Sequence, residues 1–316
     1  MRVTIGIDIG GTKIAGGAVD AGGTILAAER AATPASDPEA IIELVAGMVT
    51  RLREGRQIAA VGVAAAAFLD AGRRRIRYAP NIAWRELPLA ERLGERLQLP
   101  VILENDANAA GWAEHRFGAG AAHPDDDMVM LTLGTGVGGA IISGGRLYRG
   151  GFGAAGELGH VLLVPDGLAC GCGARGCLEQ YASGRALLRI AGELADAGGL
   201  GGGLARARAE HGELGAEVLG RLLRAGDAGA LHALDELGGH LGRACASLAA
   251  VLDPARFVIG GGLAVAGDRL LQPVRAAFRS AVRGAGRLPE PEFVIAGLGN
   301  DAGVIGAADL AALAIE

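Results

Sequence analysis

Two rhythms of apolar and polar positions run along this chain, and each change of rhythm falls at a short glycine-rich break. "RVTIGIDIG" (residues 2–10) and "IAGGAVD" (14–20) read as strands joined by a tight glycine turn, with "TILAAERAAT" (24–33) a third. The period then lengthens: "DPEAIIELVAGMVTRLREG" has a capping Asp37, Pro38 in the first turn and the apolar spacing of a helix. "IAAVGVAA" follows as a buried strand, "ELPLAERLGERLQ" as a helix, "PVILEN" as a strand and "DANAAGWAEHRFGAG" as a helix ended by glycine. This alternation predicts an α/β domain with a mixed sheet.

The composition turns loop-like over "GAGAAHPDDD" (118–127), and the domain boundary is placed there, giving an N-terminal domain over 1–120 and a larger one over 121–301. The second half opens as the first does, with "MVMLTLGTGVGGAIISGG" reading strand, glycine turn, strand. Helices dominate from Leu178 to Leu252, broken by a flexible "GGLGGGL". A strand "RFVIG", a helix through Phe278, a strand "EFVIAG" and a closing helix after Gly303 complete the pattern.

At 316 residues the chain is long enough for two cores. Its 55 glycines are separated by apolar strand and helix patterns, so they mark turns and close approaches and not disorder. Thirty basic against thirty-five acidic residues give a net charge of −5, which offers no general attraction for nucleic acid or an anionic membrane. The chain enters a strand without a charged leader, and its most apolar run, "IAAVGVAAAAFL" (58–69), is too short to span a bilayer. A cytoplasmic protein is expected.

Three glycine clusters suit a nucleotide, two of them its phosphates. In "DIGGTK", Asp8 ends a strand, Gly10 and Gly11 bare the backbone, and Thr12 and Lys13 add a hydroxyl and an amine. A glycine hairpin with a salt-bridged lysine accounts for the same residues, and the Walker spacing is absent. "LGTGVGG" repeats the device with Gly134, Thr135 and Gly136. "VIGGGL", with Gly260, Gly261 and Gly262, stands between strand and helix, where a base or ribose can lie on bare backbone, or where a plain strand–helix turn suffices. In "LENDANAAG" a strand gives way to a helix at Asn105 and Asp106, where ligands of α/β proteins bind. Either residue can serve merely as a helix cap. An ionised Asp106 can also take a proton from a hydroxyl attacking phosphorus.

Cys170, Cys172 and Cys177 crowd into "LACGCGARGCLEQ", a short stretch after the His160 of "GELGH". In a reducing compartment three thiolates and an imidazole make a tetrahedral set for zinc, with a redox pair or chance buried thiols as competing readings. Such a set is closed, so the metal is expected to be structural. Glu157 and Glu179 bracket the cluster as acceptors for sugar hydroxyls or as solvated surface charges.

"DIGGTK", "ENDANAA", "LGTGVGG", "GELGH", "CGCGARGCLE", "VIGGGL" and "LGNDAGVIGAA" occur in an order that resembles the repressor/ORF/kinase (ROK) family, most of all its zinc-containing bacterial glucokinases, over essentially the whole chain. The resemblance implies a two-domain hexokinase/actin-like (ribonuclease H-like) fold with a cleft between the domains, residues 302–316 packing back on the first. It implies phosphorylation of glucose at the 6-hydroxyl by ATP with Mg2+. Carried over, Asp106 is the base; Asn81, Asn105, Glu157, His160 and Glu179 join it in holding the sugar; His160, Cys170, Cys172 and Cys177 bind structural zinc; and the three glycine clusters receive the nucleotide. Dimers or tetramers are expected. Ala67 stands where such glucokinases commonly have glycine, which leaves sugar identity less secure than kinase activity. Alternatives are fructose or N-acetylmannosamine as acceptor, polyphosphate as donor, to which "RRRIR" (73–77) offers charge unless it is a solvated hairpin edge, and a sugar-sensing regulator. The regulators of this family carry a DNA-binding head before "DIGGTK", where this sequence has seven residues.

Overall fold

The structure, a computed structural model, describes residues 3–80, 82–282, 284 and 286–316. The chain forms two compact units: Met1–Val129, Ala140–Gly156 and Gly297–Glu316 in one, Met130–Gly139 and Glu157–Ala296 in the other. The elements are β1 (Val3–Ile9), β2 (Lys13–Asp20), β3 (Ile25–Ala32), α1 (Pro38–Leu52), β4 (Ile58–Ala65), β5 (Phe68–Leu69), β6 (Ile76–Tyr78), β7 (Arg85–Leu87), α2 (Leu89–Leu97), β8 (Val101–Asn105) and α3 (Asp106–Phe117). After them come β9 (Met128–Leu133), β10 (Val137–Ser143), β11 (Arg146–Leu147), α4 (Glu179–Ala182), α5 (Gly184–Ala197), α6 (Gly202–His211), α7 (Ala216–Ala225), α8 (Ala228–Leu252), β12 (Arg256–Gly260), α9 (Asp268–Ala281), β13 (Glu292–Ile295) and α10 (Ala302–Ala314).

The first sheet has the order β3-β2-β1-β4-β8. β1, β2 and β3 run antiparallel, while β4 and β8 lie parallel to β1. Alternation along β1 sends Ile5, Ile7 and Ile9 into a core shared with Ile41, Val45, Met48 and Val49 of α1 and Leu93 of α2. Asp37 caps α1 as its sequence suggests, its carboxylate accepting the N–H groups of Glu39 and Ala40.

The opposite face carries α10. Here Gly6 pairs with Gly17 of β2 and with Gly62 of β4, so three glycines form a row across the sheet. A Cβ at Gly6 would stand 1.9 Å from the carbonyl oxygen of Val304, and one at Gly62 1.8 Å from that of Ala307. Helix backbone thus rests on strand backbone. On its flank α10 meets α3 in the same way: a Cβ at Gly306 would lie 1.8 Å from the carbonyl oxygen of Ala109.

The small sheet β5-β6-β7 has no counterpart in the pattern beyond the hairpin edge offered for "RRRIR". Strands of two or three residues are too short to show a period of two, and Glu86 and Leu87 of β7 stand in the stretch whose spacing predicts the following helix.

The second sheet has the order β11-β10-β9-β12-β13, with β12 and β13 parallel. Beside its strands the second unit is helical. The long α8 meets α9 through Gly242, whose Cβ would fall 2.3 Å from the carbonyl oxygen of Val274. The "GGLGGGL" break is a 3-10 turn over Gly199–Gly201 running into α6. Among the described residues no helix is long and apolar enough to cross a membrane.

The glycine row makes a direct prediction. Gly62→Val forces α10 off the sheet and costs about 3 kcal/mol or more in urea unfolding. Gly192→Ala, where a Cβ meets nothing within 4 Å, leaves stability unchanged or improves it. Equal unfolding midpoints for the two variants would refute the packing described.

Candidate active site

Ligands of open α/β sheets bind beyond the carboxyl ends of parallel strands. In the first unit those ends carry Asp8 on β1 and Asn105 on β8, with Asp106 opening α3. Asn105 caps α3, its side-chain oxygen accepting the Asn108 N–H at 3.0 Å. That leaves Asp106 clear of the capping role: its Oδ1 accepts the N–H of Ala107, at 2.9 Å, and its carboxylate also draws on its own backbone N–H. Asp106 is half-buried. Desolvation of its carboxylate raises its pKa above the ordinary aspartate value, against the opposing pull of the Ala107 N–H. Asp8 is pushed up to about 7, first by burial and then by the negative charge of Asp106, with Lys13 working the other way.

Beside Asp8, residues 10–12 form the turn into β2. The Gly10 N–H donates to the Lys13 carbonyl (3.0 Å), and Thr33, which the motif reading missed, clamps the turn by donating its hydroxyl to the Gly10 carbonyl (2.7 Å). Gly10 and Gly11 are partly exposed, while Thr12 and Lys13 are open to solvent. Asn81 lies outside the described residues. Ala67 is buried, and its N–H donates to the Ala65 carbonyl at 2.8 Å.

In the second unit the other two glycine clusters meet. Gly261 has φ +80°, a conformation that favours glycine, and a Cβ there would lie 2.5 Å from the carbonyl oxygen of Leu133, the residue before Gly134. Gly262 faces open space. The Gly134–Gly136 turn is held from α5: the Gly184 N–H donates to the Gly134 carbonyl (2.8 Å) and Arg185 Nε to the Thr135 carbonyl (3.0 Å). Arg185 gives no signal in the sequence, because its partner is 50 positions away.

Glu179 and the turn that carries Glu157 and His160 both pack against the backbone of Val137. Glu179 Oε2 accepts the Val137 N–H at 3.1 Å, and a Cβ at Gly136 would stand 2.2 Å from that oxygen. The turn Leu158–His160 lies on the same spot, since a Cβ at Gly159 would be 2.1 Å from the Val137 carbonyl oxygen. The His160 N–H donates to the Glu157 carbonyl at 3.0 Å.

His160, Cys170, Cys172 and Cys177 offer ligand atoms that all lie within 4.8 Å of one another. Cys172 Sγ is 3.7 Å from Cys177 Sγ, and Cys170 Sγ is 3.7 Å from His160 Nδ1. All four cysteines of the chain are free. Tetrahedral zinc with ordinary bond lengths sets sulfurs about 3.8 Å apart and a sulfur and an imidazole nitrogen about 3.6 Å apart, so the donor set fits such an ion. Glycines at 173 and 176 take positive φ to wrap the loop, whereas Gly171 does not. Burial pushes the Cys177 thiol up to about 12, and the Ala174 N–H leads the groups that hold Cys172 below its usual range.

The profile of the ROK family matches residues 4–313. The chain is 45% identical to a glucokinase of Streptomyces coelicolor over 98% of both chains, and 36% identical to an N-acetylmannosamine kinase of Salmonella typhi over 98% of both. Its structure is similar, with a TM-score of 0.87 and 44% identity, to the crystal structure of a ROK family glucokinase from Streptomyces griseus in complex with glucose and AMPPNP, covering 98% of this chain and 99% of that one. A family profile that covers nearly the whole chain and relatives matched over their full length together show that this chain belongs to the ROK family.

Proposed function

We propose that this protein is an ATP-dependent glucokinase, transferring the γ-phosphoryl group of ATP to the 6-hydroxyl of D-glucose. The observation that carries the reading is Asp106: a desolvated carboxylate with a raised pKa, at a strand end, in a chain similar over its whole length to a glucokinase solved with glucose and AMPPNP. Asp106 accepts the proton of the 6-hydroxyl as that oxygen bonds to phosphorus. The bond from phosphorus to the β,γ-bridging oxygen breaks, and ADP leaves with the electron pair. Asn81, Asn105, Glu157, His160 and Glu179 position the sugar. Asp8, the 10–13 turn, Gly134–Gly136 and Gly260–Gly262 hold the nucleotide. Asp8 would be the carboxylate that anchors a Mg2+ bound with ATP, which would neutralise phosphate charge. His160, Cys170, Cys172 and Cys177 would hold a zinc ion that steadies the loop before Glu179, and the second ring nitrogen of His160 would then be left for a sugar hydroxyl. The protein works in the cytoplasm, where these thiols stay reduced.

A second acceptor is favoured by one observation. Ala67 replaces the usual glycine, and the N-acetylmannosamine kinase of Salmonella typhi is also a full-length relative, so initial rates over a panel of hexoses, with ATP and with polyphosphate, decide the substrate pair.

Three outcomes test the reading. Asp106→Asn lowers kcat by about 10²- to 10⁴-fold in a coupled assay for glucose 6-phosphate while the melting temperature holds; undiminished turnover removes the assigned base. The base must be ionised, and both Asp106 and Asp8 bind protons more readily than free aspartate, so kcat falls on acidification. That limb lies above the ordinary aspartate range, because burial raises the carboxyl of Asp106; a limb at or below the free-aspartate value contradicts it. Purified protein carries about one zinc per chain, and its removal costs stability on the order of 10 kcal/mol. Metal-free protein that melts normally refutes the zinc site.

A further inference from the structure

The residue before the Asn105–Asp106 pair is a buried acid that the mechanism does not use. Glu104 is 3% exposed, yet its carboxylate has partners from three parts of the first unit. Arg149 holds one oxygen, Oε2, with Nε at 2.8 Å and Nη2 at 2.6 Å. Arg73 approaches the same oxygen at 3.5 Å. The other oxygen, Oε1, accepts the Asn105 N–H and Asn108 Nδ2, both at 3.2 Å. One carboxylate therefore ties the strand end of β8 and the first turn of α3 to two separate loops.

Both loops are shaped for that attachment. Arg73 adopts φ +54°, which is costly for a residue with a side chain, and its carbonyl accepts the Leu103 N–H at 3.3 Å. Arg149 opens the glycine-rich loop 149–155, closed by the Ala155 N–H donating to the Arg149 carbonyl at 3.1 Å. This loop leans on the first, because a Cβ at Gly153 would stand 3.2 Å from the Cα of Ala71. Stability does not account for such a cluster. A buried ion pair is replaceable by apolar groups of equal volume without loss, whereas it fixes the positions of what it joins.

We propose that Glu104 and Arg149 form a positioning pair for the sugar side of the site: together they hold Asn105, Asp106 and the loop 149–155 in register and thereby set affinity for the sugar and not for the donor. The inference rests on the kinase reading above. It adds two positioning residues to the site.

Steady-state kinetics on the full chain test it, with the sugar that the wild type phosphorylates best. Arg149→Met raises the sugar KM roughly tenfold or more, and the ATP KM stays within about twofold. Arg149→Lys, which keeps a charge on Glu104 but not the two-point grip, falls between. Because Arg149→Met leaves a buried carboxylate short of a partner, the double variant Glu104→Gln with Arg149→Met is measured beside it. That variant melts closer to wild type than Arg149→Met does and still shows the raised sugar KM. A sugar KM unchanged in variants that melt normally, or an ATP KM that rises in step with it, overturns the positioning role. A wild-type chain that phosphorylates no hexose overturns the kinase reading, and the positioning role falls with it.

Discussion

How near α10 comes to the first sheet governs the first unit. The contact is backbone on backbone: carbonyl oxygens of Val304 and Ala307 occupy the space that side chains at Gly6 and Gly62 would fill. A helix seated that low also reaches the strand ends. A Cβ at Gly303 would lie 2.7 Å from Asp8 Oδ2, and Gly306 abuts Ala109 of α3, the helix that Asp106 opens. Polar contacts lock the arrangement. Asp309 accepts from the indole of Trp112 at 2.8 Å, and the buried Glu114 accepts the N–H groups of Ala119, Gly297 and Leu298. The end of α3 and the approach to α10 are thus fastened to one carboxylate. The same close packing removes water from Asp8 and contributes to its raised pKa.

Three carboxylates near the end of the sheet have three different environments, and the differences carry chemical meaning. Glu104 is buried but matched by arginine and amide donors, which commits it to a structural role. Asp106 is desolvated and met by backbone donors but by no guanidinium, which suits a group that gains and loses a proton. Asp8 lies between these cases, pushed up to about 7 while it stands alone and available to a cation that would draw it back to the ionised form. Side chains of one type acquire separate tasks through burial and partners.

Much of this was legible in the residues, for reasons of scale. Strands β1, β2 and β4 and helix α1 are long enough to display their periods, and Asp37 marks its helix by its own chemistry. The cysteine cluster was readable because its ligands lie within one short segment, His160 to Cys177, so spacing alone announces the geometry. What stayed hidden depends on long-range pairing or on very short elements. Thr33 meets Gly10 across 23 positions, Arg149 meets Glu104 across 45, and Arg185 meets Thr135 across 50, and no local pattern encodes such encounters. The sheet β5-β6-β7 is built of strands too short to carry a rhythm. Glu104 itself stood in a quoted motif, but a lone acid in a strand discloses its role only when its arginine arrives.

The metal loop and the glycine turn of the second unit share a residue, and that sharing limits what the residue can do. Glu179 begins α4 two positions after Cys177, so the loop that wraps the donor set also fixes where its carboxylate starts. Oε2 is then committed to the Val137 N–H, with Gly136 leaving room for it, while Oε1 has only the Arg185 guanidinium at a distance of 3.6 Å. A carboxylate with one oxygen bound to the backbone offers a hydroxyl one strong acceptor, in one direction. Its orientation then depends on the turn at Gly134–Gly136 as much as on the cysteines. Loss of the loop's geometry would therefore disturb the glycine turn as well, because Glu179 joins the two.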